Sequence, residues 1–99
     1  MITVTIHRSN DSYAGFKVVG HAGYAEEGYD IICAAVSVLV VNAVNSIETF
    51  TDDKFAARED HGIVELILEG SVSDKTTLLL DSMILGLRDI QTQYGNEFI

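Results

Sequence analysis

Two residues of this sequence, Cys33 and His21, carry side chains that can form a nucleophile and its general base. Cys33 follows Asp30, which occupies a predicted N-cap, so the thiol is expected in the first turn of a helix. Unpaired amide N–H groups and the helix dipole favour thiolate there, and the N–H of Cys33 is expected to help hold an oxyanion. His21 lies twelve residues earlier, across a glycine-rich segment that could fold back towards the sulfur. The pair predicts nucleophilic catalysis by a thiol.

Each of these residues also has an ordinary structural interpretation. A lone cysteine is most often a small buried hydrophobe, and a single histidine in a polar segment is most often solvated. Asp30 could orient His21, although capping the helix is a sufficient role for it. Ser37 lies one helical turn after Cys33, where its hydroxyl could bind substrate or hydrogen-bond the carbonyl of Cys33.

The glycine-rich segment, residues 20–30, lacks apolar periodicity and is predicted to be a loop. Its glycines would let it approach another backbone closely. Its tyrosines could line a peptide groove or pack the loop against the sheet. The residues predicted to form this substrate loop are Gly20, Gly23, Tyr24, Gly28 and Tyr29.

Other chemistries receive little support from the sequence. A zinc site can be assembled from His7, His21, Cys33 and His61, but no pair has the short spacing that marks such sites. The single cysteine excludes a CxxC redox pair, and the glycines spell neither GxGxxG nor a P-loop. We therefore predict that the activity needs no metal and no cofactor.

The hydrophobic pattern predicts two β-hairpins, each followed by a helix, in one domain spanning residues 1–99. The first helix is predicted over residues 31–50, and the second follows a cap at Ser73 and stops near Gly95. The fold class is therefore α+β, in the order ββαββα, with the helices packed on an antiparallel or mixed sheet. The predicted inward-facing strand residues are Ile2, Val4, Ile6, Ala14, Phe16, Val18, Val64, Leu66 and Leu68.

Charge and composition limit the partners that this chain can have. Six basic against 15 acidic residues give a formal charge of -9, which repels nucleic acid and anionic membrane surfaces. A basic peptide would be attracted, although solubility is the commoner reason for an acidic surface. The N-terminus lacks a signal-peptide pattern, and the apolar run Ile31–Val41 is about half the length that crosses a bilayer. We predict a cytoplasmic protein without a membrane span.

The stretch from Gly20 to Ser37, GHAGYAEEGYDIICAAVS, resembles the signature of a ribosomal-processing cysteine protease family called Prp. In that family a GHA motif and a GxDxxCAAVS motif flank a flexible loop, within the same order of hairpins and helices. The resemblance implies that His21 and Cys33 are catalytic, and that Asp30 and Ser37 occupy the family's supporting positions.

The resemblance also implies a substrate and an assembly. The substrate would be the N-terminal extension of bacterial large-subunit ribosomal protein twenty-seven, removed by an endopeptidase. The assembly would be a homodimer, which would account for the apolar residues that surround the first helix. The acidic charge leaves open an alternative, a non-catalytic module that binds a basic ribosomal or assembly protein.

Overall fold

The computed structural model describes residues 2–20, 27–60 and 62–94. They form six elements in the order ββαββα, which confirms the predicted α+β class. The strands are β1 (Thr3–Ser9), β2 (Ser12–Val19), β3 (Lys54–Asp60) and β4 (Ile63–Glu69), and the helices are α1 (Glu27–Phe50) and α2 (Asp74–Tyr94).

The four strands form one antiparallel sheet in the order β1-β2-β4-β3. The two hairpins are joined where β2 lies beside β4, with Gly15 opposite Ile67 at one end and Val19 opposite Ile63 at the other. Both helices pack on the face that carries Leu66, and this face holds the hydrophobic core. Of the two predicted alternatives, the antiparallel sheet is confirmed.

Strand β2 departs from simple alternation at a β-bulge. Ala14 is an extra residue opposite the junction of His7 and Arg8 in β1. An extra residue reverses the alternation, so Tyr13 and Phe16 are both buried, whereas Ala14 is only half-buried. The prediction that Ala14 shares the inward face with Phe16 is therefore wrong, because a bulge separates the two residues.

Helix α1 contributes the largest share of the core. By length and composition its stretch Ile31–Phe50, with a mean hydropathy of 1.9, could also cross a membrane. In this fold one side of the helix packs on the sheet, as in the core helix of a globular domain, and the absence of a membrane span stays a prediction. The buried residues of α1 lie along one side of the helix and are Ile32, Cys33, Val36, Val40, Ala43 and Ile47.

Helix α2 begins at the predicted cap. The Thr76 N–H donates to the Ser73 hydroxyl oxygen at 3.3 Å. Asp53, between α1 and β3, accepts hydrogen bonds from the Ser73 N–H at 2.9 Å and from the Ser73 hydroxyl at 2.8 Å. Hydrogen bonding from the Thr76 side chain and then from the Ser73 backbone lowers the pKa of the Asp53 carboxyl, which partial burial opposes. This network fixes the start of α2 against the entry to β3, and the predicted stop at Gly95 lies outside the described residues.

A second polar contact joins α2 to the sheet. The Tyr13 hydroxyl donates a hydrogen bond to Oδ1 of Asp81 on α2, and the Arg8 guanidinium lies 4.6 Å from the centre of the Tyr13 ring. Burial and then the Asp81 carboxylate raise the pKa of Tyr13 above its usual 10.0. The bulge is what turns Tyr13 towards α2, so the irregularity of β2 serves the packing of the second helix.

Candidate active site

A cavity of about 320 Å³ lies between the first half of α1 and the end of the sheet formed by β2 and the β3–β4 turn. Its helix wall consists of Cys33, Ala34, Val36, Ser37 and Val40. Its sheet wall consists of Ile2, Val18, Gly20, Glu59, Asp60, Gly62, Ile63 and Val64.

Cys33 lies on the helix wall of this cavity and is 6% exposed. Ile32 and Val36 are buried against the sheet, and their burial fixes the rotation of α1 that turns Cys33 towards the cavity. Ser37 follows one turn later on the same wall and is exposed. The helical spacing of Cys33 and Ser37 thus brings both to one cavity, and their chemical roles stay predictions.

The start of α1 differs from the predicted one. The helix begins at Glu27, so Asp30 lies inside its first turn rather than at its N-cap. Cys33 is the seventh helical residue, whereas only the first four amide N–H groups of a helix lack partners within it. The predictions of an Asp30 cap, a first-turn Cys33 and an unpaired Cys33 N–H are therefore wrong.

The earlier helix start has a physical reason in the residue types of this segment. A glutamate at the first helical position suits the positive end of the helix dipole. One glycine costs a helix only about 1 kcal/mol, so Gly28 does not prevent the helix from starting before it. Gly28 and Tyr29 therefore belong to α1, and the prediction that they lie in a loop is wrong.

The other residues of the predicted loop divide between the described and the undescribed parts of the chain. Gly20 is described and lines the cavity. His21, Gly23 and Tyr24 lie outside the described residues, so their predicted roles stay predictions. His21 is nevertheless the next residue in the chain after Gly20, a residue of the cavity wall.

The position of Gly20 is fixed by the β3–β4 turn. Its N–H donates a hydrogen bond of 2.8 Å to the carbonyl oxygen of Gly62. Both residues have positive φ, +133° at Gly20 and +70° at Gly62, which glycine adopts without steric cost. This bond extends the β2–β4 ladder one step beyond the Val19–Ile63 pair, so the chain leaves the sheet at the cavity.

The sequence did not reveal that Glu59 and Asp60 would lie at this site. They end β3 and line the cavity that contains Cys33. The turn after Asp60 could be read from the residue types Asp60, His61 and Gly62, and it is observed. No local signal showed that β4 would pair with β2, which is the pairing that places this turn opposite α1.

Metal binding finds no support in the described part of the chain. The ranges 2–20, 27–60 and 62–94 contain no group of three or more His, Cys, Asp or Glu side chains that could hold a metal ion. Two members of the zinc alternative, His21 and His61, lie outside those ranges. The expectation that no metal is required stays a prediction.

Comparison with known proteins identifies the family. The model of the family described as Cysteine protease Prp matches residues 1–99. The chain belongs to the Prp family. It is therefore a cysteine protease, as the resemblance of residues 20–37 implied.

Relatives within the Prp family support this assignment over the whole chain. The ribosomal processing cysteine protease Prp of Bacillus subtilis is 34% identical over 101 residues, covering 95% of this chain and 90% of that protein. An essential ribosomal processing protease Prp from Staphylococcus aureus, solved with a covalently linked product peptide, has a TM-score of 0.87 and 30% identity, covering 100% of this chain and 95% of that one. The Staphylococcus aureus Prp solved with a substrate peptide has a TM-score of 0.88 and 29% identity, with coverage of 98% and 93%.

Proposed function

We propose that this Prp-family chain is an endopeptidase that removes the N-terminal extension of bacterial large-subunit ribosomal protein twenty-seven. Cys33 is the nucleophile and His21 is the general base. The observation that carries the proposal is the position of Cys33 on the wall of a cavity large enough to admit peptide atoms. Relatives named ribosomal processing cysteine proteases, and relatives solved with bound peptides, support a peptide substrate.

The proposed reaction proceeds through a thioester. His21 takes the proton from the Cys33 thiol, and the sulfur attacks the scissile carbonyl carbon of an extended peptide. The tetrahedral intermediate collapses as the protonated His21 gives its proton to the departing amine. His21 then takes a proton from water, and the resulting hydroxide equivalent attacks the thioester carbonyl. The thiol leaves with a proton, and the acid product is released.

The observed start of α1 supports a mechanism in which His21 activates Cys33. Helix-dipole effects fall off within the first turn, and Cys33 lies beyond it. A cysteine thiol with an ordinary pKa near 8.5 is mostly protonated at neutral pH. We therefore assign to the His21 imidazole most of the stabilisation of the thiolate.

Two supporting roles complete the proposed site. Ser37 is exposed one turn after Cys33 on the same wall, so its hydroxyl is available to hydrogen-bond the peptide backbone. Asp30, three helical positions before Cys33, would orient the imidazole of His21. With the cap at Asp30 excluded, orientation becomes the better interpretation of this aspartate.

We further propose that the chain acts as a cytoplasmic homodimer. The outer side of the helical layer carries exposed apolar side chains, including Ile31 at 64%, Val38 at 68% and Leu85 at 63% exposure. A groove between α1 and α2 runs beside Val38, where Leu39 approaches Gly86. Apolar surface of this kind is typical of interfaces between protein chains.

The proposal is tested on the ribosomal protein itself. Purified ribosomal protein with its extension is incubated with the wild-type chain or with Cys33→Ala, and the intact mass is followed over time. Wild type should remove the extension, and Cys33→Ala should be slower by a factor on the order of 10³ or more, because the nucleophile is missing. Undiminished cleavage by Cys33→Ala would overturn the assignment.

Two controls separate loss of chemistry from loss of fold. Cys33→Ala removes only the sulfur of a residue on the cavity wall, and a cooperative thermal unfolding curve verifies that the variant is folded. His21→Ala should lose nearly as much activity, and a rate within a few-fold of wild type would make His21 a bystander. Tight binding of the ribosomal protein without any cleavage by wild type would instead favour the non-catalytic module.

A further inference from the structure

The sheet wall of the cavity ends in two acidic residues. Glu59 and Asp60 are the last two residues of β3, both are exposed, and both line the cavity that contains Cys33. The described lining residues include no lysine and no arginine. The described part of the cavity wall is therefore negatively charged.

Glu59 occupies a face of the sheet where an apolar residue would be expected. It pairs with Val64 of β4, and Val64 packs against the core on the helix side. Directly paired residues in neighbouring strands point to the same face. Phe55, four residues earlier on the same strand, also packs against the core. Glu59 is thus a charged residue on the helix-facing side, at the end of the sheet that lies opposite Cys33.

The arginine next to Glu59 in the chain is engaged elsewhere. Arg58 Nη2 lies 3.5 Å from Oε1 of Glu65, its register partner in β4. Because successive residues of a strand alternate between faces, this ion pair lies on the face of the sheet away from the helices. Arg58 therefore pairs with Glu65 and not with Glu59.

Building on the function proposed above, we infer that Glu59 determines specificity by selecting peptides with a lysine or arginine side chain close to the scissile bond. A carboxylate forms charge-assisted hydrogen bonds with an ammonium or guanidinium group. The formal charge of -9 attracts basic peptides at long range, whereas Glu59 is a charged residue in the wall of the cavity that contains Cys33.

A different role for Glu59 follows from the position of β3. This strand is an edge of the sheet, and inward-pointing charged residues can prevent edge strands from pairing with other chains. In that role the charge of Glu59 keeps the protein soluble and does not affect which peptides are cleaved. Substrate selection and solubility therefore have to be measured on the same variants.

The experiment uses pairs of peptides that span the cleavage junction. The two peptides of a pair are identical except at one position, which is lysine in one and glutamine in the other, and one pair is made for each position near the scissile bond. For at least one position, wild type should prefer the lysine peptide by about 3- to 5-fold in kcat/KM at low ionic strength, the upper part of the range expected for exposed ion pairs. The preference should shrink in high salt. Glu59→Gln should reduce the preference to less than about 2-fold.

A matched variant controls for the general loss of one negative charge. Glu69 is an exposed glutamate at the opposite end of the same hairpin, so Glu69→Gln should keep the wild-type preference. Glu59→Lys should shift the preference towards peptides that carry glutamate at the selected position. A thermal unfolding curve for each variant shows that the comparison is made on folded protein.

The outcomes separate this inference from the proposed function. If wild type cleaves the lysine and glutamine peptides equally at every position, the inference is overturned while the protease assignment stands. The same holds if Glu59→Gln keeps the full lysine preference, or if it only aggregates while its soluble fraction keeps that preference. If wild type cleaves no peptide and no ribosomal protein, the proposed function falls and takes the inference with it.

Discussion

Gly15→Ala is the substitution whose cost is most directly set by the geometry of this fold. A Cβ at residue 15 would lie 2.1 Å from the backbone carbonyl oxygen of Leu66 in β4. The φ angle at Gly15 is +151°, which side-chain-bearing residues rarely adopt. Both obstacles involve backbone atoms, so no change of side-chain rotamer can relieve them.

The expected cost follows from these two obstacles. Ordinary contacts of a Cβ begin near 3.4 Å, so β4 would have to move away from β2 by more than about 1 Å. Backbone strain of this kind costs about 1–3 kcal/mol, and each weakened ladder hydrogen bond adds roughly 0.5–1.5 kcal/mol. We expect Gly15→Ala to lower the free energy of unfolding by at least about 4 kcal/mol, a large part of the typical total.

Gly70→Ala provides the matched control. Gly70 also has positive φ, +75°, but a Cβ there would meet nothing within 4 Å. The backbone cost alone is about 1–2 kcal/mol, so the difference between the two variants measures the overlap with Leu66. Urea unfolding followed by circular dichroism, with slopes compared to wild type, provides both values. A Gly15→Ala variant within about 1 kcal/mol of Gly70→Ala would refute this account of how β2 and β4 are joined.

Two further variants test the polar contacts at α2 by urea unfolding across a range of pH. At neutral pH, Tyr13→Phe should lower the free energy of unfolding by about 1 kcal/mol, because the hydrogen bond to Asp81 is lost. Because the pKa of Tyr13 is raised in the folded state, this difference from wild type should be lost as pH rises past 10.0 and through the folded-state pKa. Above about pH 5, Asp53→Asn should lower the free energy of unfolding by about 1 kcal/mol. Because the pKa of Asp53 is lowered in the folded state, this difference from wild type should be lost as pH falls below the usual 3.8 and through the folded-state pKa. In either case a difference that does not change with pH would show that ionisation of Tyr13 or Asp53 is not coupled to folding.

The parts of the fold that depend on neighbours in sequence could be predicted from the sequence. The helix-facing side of β4 follows from the alternation of apolar residues around Leu66, and the start of α2 follows from the serine at 73. The bulge at Ala14 could not be predicted in this way. It arises where β2 pairs with β1, and the clearance that Gly15 provides is required by β4, a strand far away in the chain.

The same distinction applies to the candidate active site. Cys33 and Ser37 could be placed together because four residues make about one helical turn. The resemblance to the Prp family supplied His21. Glu59 was missed because its proximity to Cys33 depends on the order of strands in the sheet, which joins segments remote in sequence. Strand order is decided by the packing of the whole core, and no residue near Glu59 encodes it.

The geometry of the cavity links the activation of the thiol to the charge of the substrate. Cys33 lies beyond the helix turn that would stabilise a thiolate, and carboxylates line the opposite wall. Negative charge on that wall opposes a second negative charge on the sulfur, so cationic groups must offset it. In the proposed mechanism a protonated His21 would supply one positive charge, and a basic substrate side chain bound at Glu59 would neutralise the wall itself. If Cys33 is the nucleophile, as proposed, acidic residues on the described wall of its cavity are compatible with catalysis when the peptide that enters is basic.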